Sequence, residues 1–379
     1  MATDARARVL IGDDQPDVLE ALRLLLSQHE FSMELVTTPA AIIDLIQTRR
    51  DWDLLLMDLN YSRDTTSGDE GRELLARVRA IAPDLPVVVM TAWGNIELAV
   101  DAMRAGAQSF VQKPWDNAAL VQILQREVAN GRGARQRSET HAREHQDALM
   151  IQRALLPAAL PSTACFDIVG AWRPAQGFGG DCYDAVVFAP DRVGLTIADV
   201  AGKGLPAALI MSSLQAAFRA FAVESGAPAA ICASVNRLLC AQMIAGRFAT
   251  CCYLRLDTSR GTLAYTNAGH NAPLLVHAGG AIERLDIGGI VMGVFADAEY
   301  REGSASVASG DRLVLYTDGI TEARNDDGEE YGEARLEAAL LRYRQHDAAA
   351  LHAAVMGEVT TFAANGFEDD ATLLVVGVR

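Results

Sequence analysis

Residues 54–58 read LLLMD and residues 87–91 read VVVMT. Each is a short, unbroken apolar run that ends on a polar group. A strand buried on both faces reads this way, because neither side of it meets water. Working outward, two similar runs frame the pair. Arg8–Ile11 is followed by Gly12-Asp13-Asp14, and Ser109–Gln112 is followed by Lys113-Pro114. A further strand is expected at Glu34–Thr37. Between the strands, Asp17–Gln28, Ala40–Thr48, Glu70–Ile81 and Ile96–Ala105 carry apolar residues at helical spacing, and Gly106 is a helix stop. Asn117–Val128 adds a fifth helix. Strand and helix alternate five times, which predicts an α/β, doubly wound domain around a five-stranded parallel sheet.

In an open α/β sheet, functional groups collect where the strands end. Here the strand ends bring Asp13 and Asp14, Asp58, Thr91 and Lys113 to one edge. Clustered carboxylates repel one another unless a cation sits among them, and hard oxygen donors suit Mg²⁺. A carboxylate beside Mg²⁺ can attack a phosphoryl group and form an aspartyl phosphate. The Lys113 ammonium would neutralise phosphoryl charge, and the Thr91 hydroxyl could bond the new oxygen. Phe110, on the last strand, is an aromatic that could move with it. Any one of these residues alone is more often an ordinary loop acid or surface lysine; five together point to chemistry.

The set resembles the response-regulator receiver family over about residues 6–128. The resemblance implies that Asp58 is the phosphoacceptor, fed by a cognate histidine kinase. It implies Mg²⁺ ligands Asp13, Asp14 and Asp58, and switch residues Thr91, Lys113 and Phe110. One departure stands out. The loop after Asp58, LNYSRDTTSGDEG, is longer and more polar than the family's short turn.

The receiver is expected to span residues 1–129, with a helical linker at 130–160 and a second domain at 161–379. The linker is polar, interrupted by Gly131 and Gly133, and helix-favouring from Gln136 to Leu156 until Pro157 stops it. A dimerising coiled coil and a plain linker helix both fit it; the first makes the chain a homodimer. Beyond it, strand-like runs fall at Asp167–Trp172, Tyr183–Phe188, Val193–Ala198, Thr250–Leu256, Thr262–Thr266, Pro273–Val276, Arg312–Tyr316 and Thr372–Val378. Two apolar helices, Ala207–Val223 and Ala229–Met243, sit among them. This order predicts an α+β domain of two packed β-sheets flanked by helices.

That domain holds acids in glycine-rich settings at strand ends: GGDCYD at 179–184, DVAGKG at 199–204, YTDG at 316–319 and EDDAT at 368–372. Glycine lets backbone approach an ion closely, and all-oxygen sets favour Mg²⁺ or Mn²⁺ over Zn²⁺. Two such ions can hold a water whose lowered pKa lets it displace at phosphorus without a protein nucleophile. Each piece alone reads more simply as a turn. In this order they resemble the stage II sporulation (SpoIIE-like) branch of metal-dependent protein phosphatase 2C, over about residues 150–379. The resemblance implies a serine/threonine phosphatase with a site for two Mg²⁺ or Mn²⁺ made by Asp181, Asp199, the Val200 carbonyl, Asp318 and Asp369. Asp369 is preferred over Asp370 by matching the pair to the family's Asp-Asn. Asp184 is assigned to the turn. Arg173 and Lys203 stay open as phosphate-facing groups. MIQRALLP at 150–157 resembles the helix that introduces this branch. The substrate implied is a phosphorylated STAS-type anti-sigma-factor antagonist in a partner-switching pathway. The contrasting reading is a non-catalytic adaptor on a phosphatase-like fold, disfavoured by the complete acid set.

Bulk properties set the limits. A chain of 379 residues suggests two or three domains. A net charge of −16 argues against nucleic-acid binding, which selects basic faces. The six cysteines form no CxxC pair and read as free thiols of a reducing, cytoplasmic compartment. No apolar run approaches the roughly 18 residues of a membrane helix.

Overall fold

The structure, a computed structural model, describes all residues except 1–5, 62–68, 92–95, 158, 176, 223–225, 243–245 and 365. The chain divides into two units, Met1–His145 and Gln146–Arg379.

In chain order the first unit contains β1 (Ala7–Gly12), α1 (Pro16–Leu26), β2 (Phe31–Val36), α2 (Pro39–Thr48), β3 (Leu54–Asp58), α3 (Asp69–Ile81), β4 (Val87–Thr91), α4 (Ile96–Arg104) and β5 (Ser109–Gln112). Helix α5 (Asn117–Leu155) starts in this unit and ends in the next. The sheet is parallel throughout, in the order β2-β1-β3-β4-β5. Its strands alternate between two cores. Leu10, Leu55, Met57, Val87 and Val89 meet Ile42, Ile46, Leu74 and Val78 on one face. Val9, Ile11, Leu54, Leu56, Val88 and Met90 meet Leu22, Leu26, Leu120 and Leu124 on the other. With both faces covered, the central strands β3 and β4 are apolar at every position until their ends, where the chemistry begins. Most of the long loop after Asp58 lies outside the described residues.

Gly131 and Gly133 do not interrupt the helix, contrary to the expectation above; α5 runs unbroken for 39 residues. A Cβ on Gly131 would lie 2.4 Å from Pro86 Cγ, so the bare backbone lets the helix rest against that turn. Arg132 pairs with Asp53 at 2.7 Å and Arg135 donates to the Trp52 carbonyl at 2.6 Å. These contacts offset the roughly 1 kcal/mol that a helical glycine costs.

The second unit contains β6 (Phe166–Arg173), β7 (Cys182–Ala189), β8 (Arg192–Val200), α6 (Leu205–Phe221), α7 (Pro228–Gln242), β9 (Ala249–Asp257), β10 (Thr262–Ala268), β11 (Leu274–Val276), β12 (Ile282–Arg284), β13 (Gly288–Gly289), β14 (Gly303–Ser306), β15 (Arg312–Tyr316), α8 (Asp318–Thr321), α9 (Gly332–Tyr343), α10 (Ala348–Phe362) and β16 (Ala371–Val378). One sheet runs β13-β10-β9-β8-β7, with β14 also on β10; the other runs β12-β11-β15-β16-β6. Leu195, Ile197, Leu254, Leu315, Leu374 and Val376 form the core between them. The alternate residues Val314, Tyr316, Leu373 and Val375 pack under α9 and α10. Ala198, Val200, Cys251 and Tyr253 pack under α6 and α7. The result is two sheets face to face with a helix pair on each outer side. Among the described residues, no helix is long and apolar enough to cross a membrane.

Candidate metal centres and their surroundings

In the first unit, parallel strands all end at one edge, so the polar residues that stop them converge. Asp13 and Asp58 are buried, and Lys113 Nζ bonds both, at 2.6 and 2.8 Å. Carboxylate oxygens of Asp13, Asp14 and Asp58 lie within 4.8 Å of one another. Asp14 Oδ1 is buried with no hydrogen-bond partner. An acceptor of that kind, beside two more carboxylates, fits a hard divalent cation. Burial raises the Asp58 carboxyl above its usual range, and the bond from Lys113 offsets part of the rise. Thr91 is buried at the end of β4, and its carbonyl accepts from the Lys113 amide at 2.8 Å. Phe110 is 44% exposed on the edge strand β5. Tyr61 went unnoticed in the sequence. It is buried, and burial followed by the charges of Asp58, Asp13 and Asp14 keeps its phenol protonated.

In the second unit, antiparallel pairing does the gathering. Cys182 pairs with Ala198, which sets Asp181, before β7, near Asp199, late in β8. Tyr316 pairs with Leu373, which sets Asp318, after β15, near Asp369 and Asp370, before β16. The two sheets are stitched together at this end. Thr317 and Thr372 hydroxyls both donate to Asp181 Oδ2, at 2.7 and 2.6 Å. The Gly180 amide donates to Asp370 Oδ2 at 2.7 Å.

Glycine is required here by space. A Cβ on Gly180 would come within 2.6 Å of the Val200 carbonyl oxygen and 3.2 Å of Asp199 Oδ1. One on Gly179 would strike Asp370 Oδ2 at 2.0 Å. The close approach at Gly180, faced by the Val200 carbonyl and an Asp199 oxygen, fits a hard cation. These acids are more spread than those of the first unit: among the described residues, no three of them bring oxygens within 4.8 Å of each other.

The electrostatics agree with a site that awaits positive charge. Burial, then the charges of Asp318 and Asp369, push Asp199 up to about 7. Burial and then Asp199 push Asp181 well up. Asp318 is raised by burial and then by Asp369.

The neighbouring acids divide by role. Asp370 is buried, and its two oxygens accept the backbone amides of Ala175 at 3.0 Å and Gly180 at 2.7 Å. Asp369 is half exposed, and Lys203 meets it at 3.1 Å. Lys203 also donates to the Glu368 carbonyl at 2.7 Å. Asp184 is turned away into a pair with Arg219, whose second contact measures 3.0 Å. Replacing Asp184 with Asn is therefore expected to cost about 1–2 kcal/mol of stability. The Mn²⁺ concentration for half-maximal binding should not change; thermal unfolding and calorimetric titration check the two halves. Arg173 reaches Thr360 at 3.1 Å and is not brought to this cluster.

The sequence reading missed three supports. The Thr317 and Thr372 hydroxyls adjoin motifs already noted, so the acids drew the attention. The third is Gln152 on α5, which is 3% exposed. Its amide donates to the Gly179 carbonyl at 2.6 Å and accepts from the Gly179 amide at 3.3 Å. A polar residue that stays buried because a distant loop pairs with it leaves no local signal.

Comparisons with known proteins cover both units. The family model for a response regulator receiver domain matches residues 9–125. Phosphoserine phosphatase RsbU of Bacillus subtilis is 30% identical over 188 residues, covering 49% of this chain and 55% of that protein. Protein IcfG of Synechocystis is 28% identical over 220 residues, covering 51% of this chain and 35% of that protein. The chain thus spans about half the length of the first relative and a third of the second. The SiaA-PP2C domain of Pseudomonas aeruginosa superposes with a TM-score of 0.57 at 24% identity, covering 64% of this chain and 98% of that one, and so shares the fold. Because the model for stage II sporulation protein E matches residues 189–379, half of the chain, the protein belongs to the SpoIIE family, with a receiver domain ahead of the family's conserved region.

Proposed function

We propose that the second unit is a metal-dependent protein phosphatase acting on phosphoserine or phosphothreonine, and that phosphorylation of Asp58 regulates it. The observation that carries this reading is the gathering of acids at one end of the two sheets: Asp181 and Asp199 beside Gly180, with Asp318 and Asp369 near enough for their charges to act on Asp199. The printed name of RsbU supports the activity. Asp181, Asp199, the Val200 carbonyl, Asp318 and Asp369 would hold two Mg²⁺ or Mn²⁺. When bound, the ions supply a hydrolytic water of lowered pKa and neutralise charge at phosphorus.

The chain's own groups have distinct tasks. Thr317 and Thr372 fix the Asp181 carboxylate from the opposite sheet. Asp370 and Gln152 hold the glycine loop in shape. Lys203 stands at the open side, 55% exposed, where it can leave Asp369 for a substrate phosphate. In the first unit, Asp58 accepts a phosphoryl group while Asp13 and Asp14 hold Mg²⁺; Lys113, Thr91 and Phe110 respond to it. A histidine kinase as donor, a STAS-type anti-sigma-factor antagonist as substrate, a homodimer and a cytoplasmic setting complete this reading.

Phosphate release from a phosphoserine-bearing STAS domain tests the activity. Release that requires Mn²⁺ or Mg²⁺ is expected; no metal-dependent release from it or from p-nitrophenyl phosphate rules out the enzyme. Acetyl phosphate tests the regulation. It is expected to change the rate several-fold in wild type and to leave Asp58→Ala unchanged.

A further inference from the structure

We propose that Tyr61 is part of the receiver's ion and phosphoryl pocket, its hydroxyl a donor that finds its acceptor only when the pocket is filled. Tyr61 lies three residues past Asp58 and is 2% exposed, yet its hydroxyl has no hydrogen-bond partner. Nearly all buried polar groups are paired, so an orphan of this kind calls for a cause. Its position gives one. A Cβ built on Gly12 would lie 2.9 Å from the Tyr61 oxygen, so the hydroxyl sits against the residue that directly precedes Asp13. The next acid along, Asp14, has its own buried, unpartnered oxygen. A donor on Tyr61 and an acceptor on Asp14 are therefore unmet where β3 and β1 end, as is the Glu70 Oε2 acceptor at the start of α3. An oxygen arriving with the ion, in its water shell or on the phosphoryl group, can accept from the phenol.

The plainer account makes Tyr61 a core filler, since its ring packs with Ile42, Leu59 and Leu74. A filler does not need its hydroxyl, and phenylalanine would serve better. The two accounts differ in one measurement. Full-length protein is titrated with Mg²⁺ at fixed beryllofluoride, and bound fluoride at Asp58 is read by ¹⁹F NMR after subtracting the Asp58→Ala spectrum. Tyr61→Phe is expected to raise the Mg²⁺ midpoint about 5-fold, the factor of one neutral hydrogen bond near 1 kcal/mol. The thermal midpoint without Mg²⁺ should stay level or rise, because an unmet buried hydroxyl has been removed.

Equal Mg²⁺ midpoints for wild type and Tyr61→Phe would overturn the assignment and leave Tyr61 a filler. A lower thermal midpoint with an unshifted Mg²⁺ midpoint does the same. The proposal rests on Asp58 as acceptor, and that failure is distinguishable: wild type would then show no signal beyond Asp58→Ala.

Discussion

Replacing Asp199 with Asn is expected to lower metal-dependent phosphatase activity about 10³-fold, equal to about 4 kcal/mol of transition-state stabilisation. The same change should make the metal-free protein more stable at pH 8. Both effects have one cause. Asp199 faces Asp318 and Asp369 in a buried setting, which lifts its carboxyl to about 7. That is above the ordinary value of about 4. Folding therefore favours the protonated form, and the metal-free fold loses stability as pH rises from about 4 to about 7. Asn carries no charge and escapes this loss. At pH 8 the variant's thermal midpoint is expected to exceed wild type's by several degrees, and near pH 4 the two should agree. Metal binding works in the opposite sense, because a ligand must give up its proton. Wild-type Mn²⁺ affinity should climb as pH rises through 7 and level off above it. Calorimetry in buffers of different ionisation enthalpy would show protons released on Mn²⁺ binding at pH 6.5 and fewer at pH 8.5. If Asp199→Asn hydrolysed phosphoserine at the wild-type rate, Asp199 would not be a ligand and the site would have to lie elsewhere.

How much of this was legible depends on what kind of order each part has. The receiver sheet was readable because its central strands are buried on both faces, so LLLMD and VVVMT stand out as runs. The polar residues that end them were readable for the same reason. Between Tyr316 and Thr372 no element was expected, and the structure places α8, α9 and α10 there. The signal existed, since Leu336, Ala339 and Leu340, then Leu351, Val355 and Val359, keep helical spacing. It was muted because the segment is rich in alanine, which marks a buried face less sharply than leucine. The four acids of the second unit were found by motif, and antiparallel pairing explains why motifs so far apart in sequence meet. Asp369 and Asp370 were separated only by family likeness; in the structure backbone amides bond both oxygens of Asp370, while Lys203 meets Asp369. The continuity of α5 was not legible, because glycine lowers helix propensity everywhere except where a neighbour needs the space, and Pro86 is 45 residues away in sequence from Gly131.

Gln152→Met is expected to reduce kcat about 100-fold, although the side chain touches no acid of the site. Methionine keeps the length and bulk but removes both bonds to Gly179, leaving a buried carbonyl and a buried amide unmet, at about 1–3 kcal/mol each. Gly179 cannot be held from its other side, because Asp370 and Trp172 already crowd it. The freed peptide shifts Gly180 and Asp181, and a displacement near 1 Å at a reacting centre costs about two orders of magnitude. The loss should fall on kcat and on the Mn²⁺ midpoint rather than on the substrate's KM. Arg153→Ala, the exposed neighbour on the same helix, is the control and should behave as wild type. Gln152 also lies on α5, which begins at Asn117 in the first unit and ends at Leu155 in the second. Under the regulation proposed above, a signal carried by α5 would meet the glycine loop at the Gln152 amide. On this account Gln152→Met should lose any response to acetyl phosphate along with its rate, while Asp58→Ala keeps the basal rate and loses the response alone. A Gln152→Met protein with wild-type kcat and an unshifted Mn²⁺ midpoint would show that the glycine loop holds its own shape, and that α5 acts on the site by another contact.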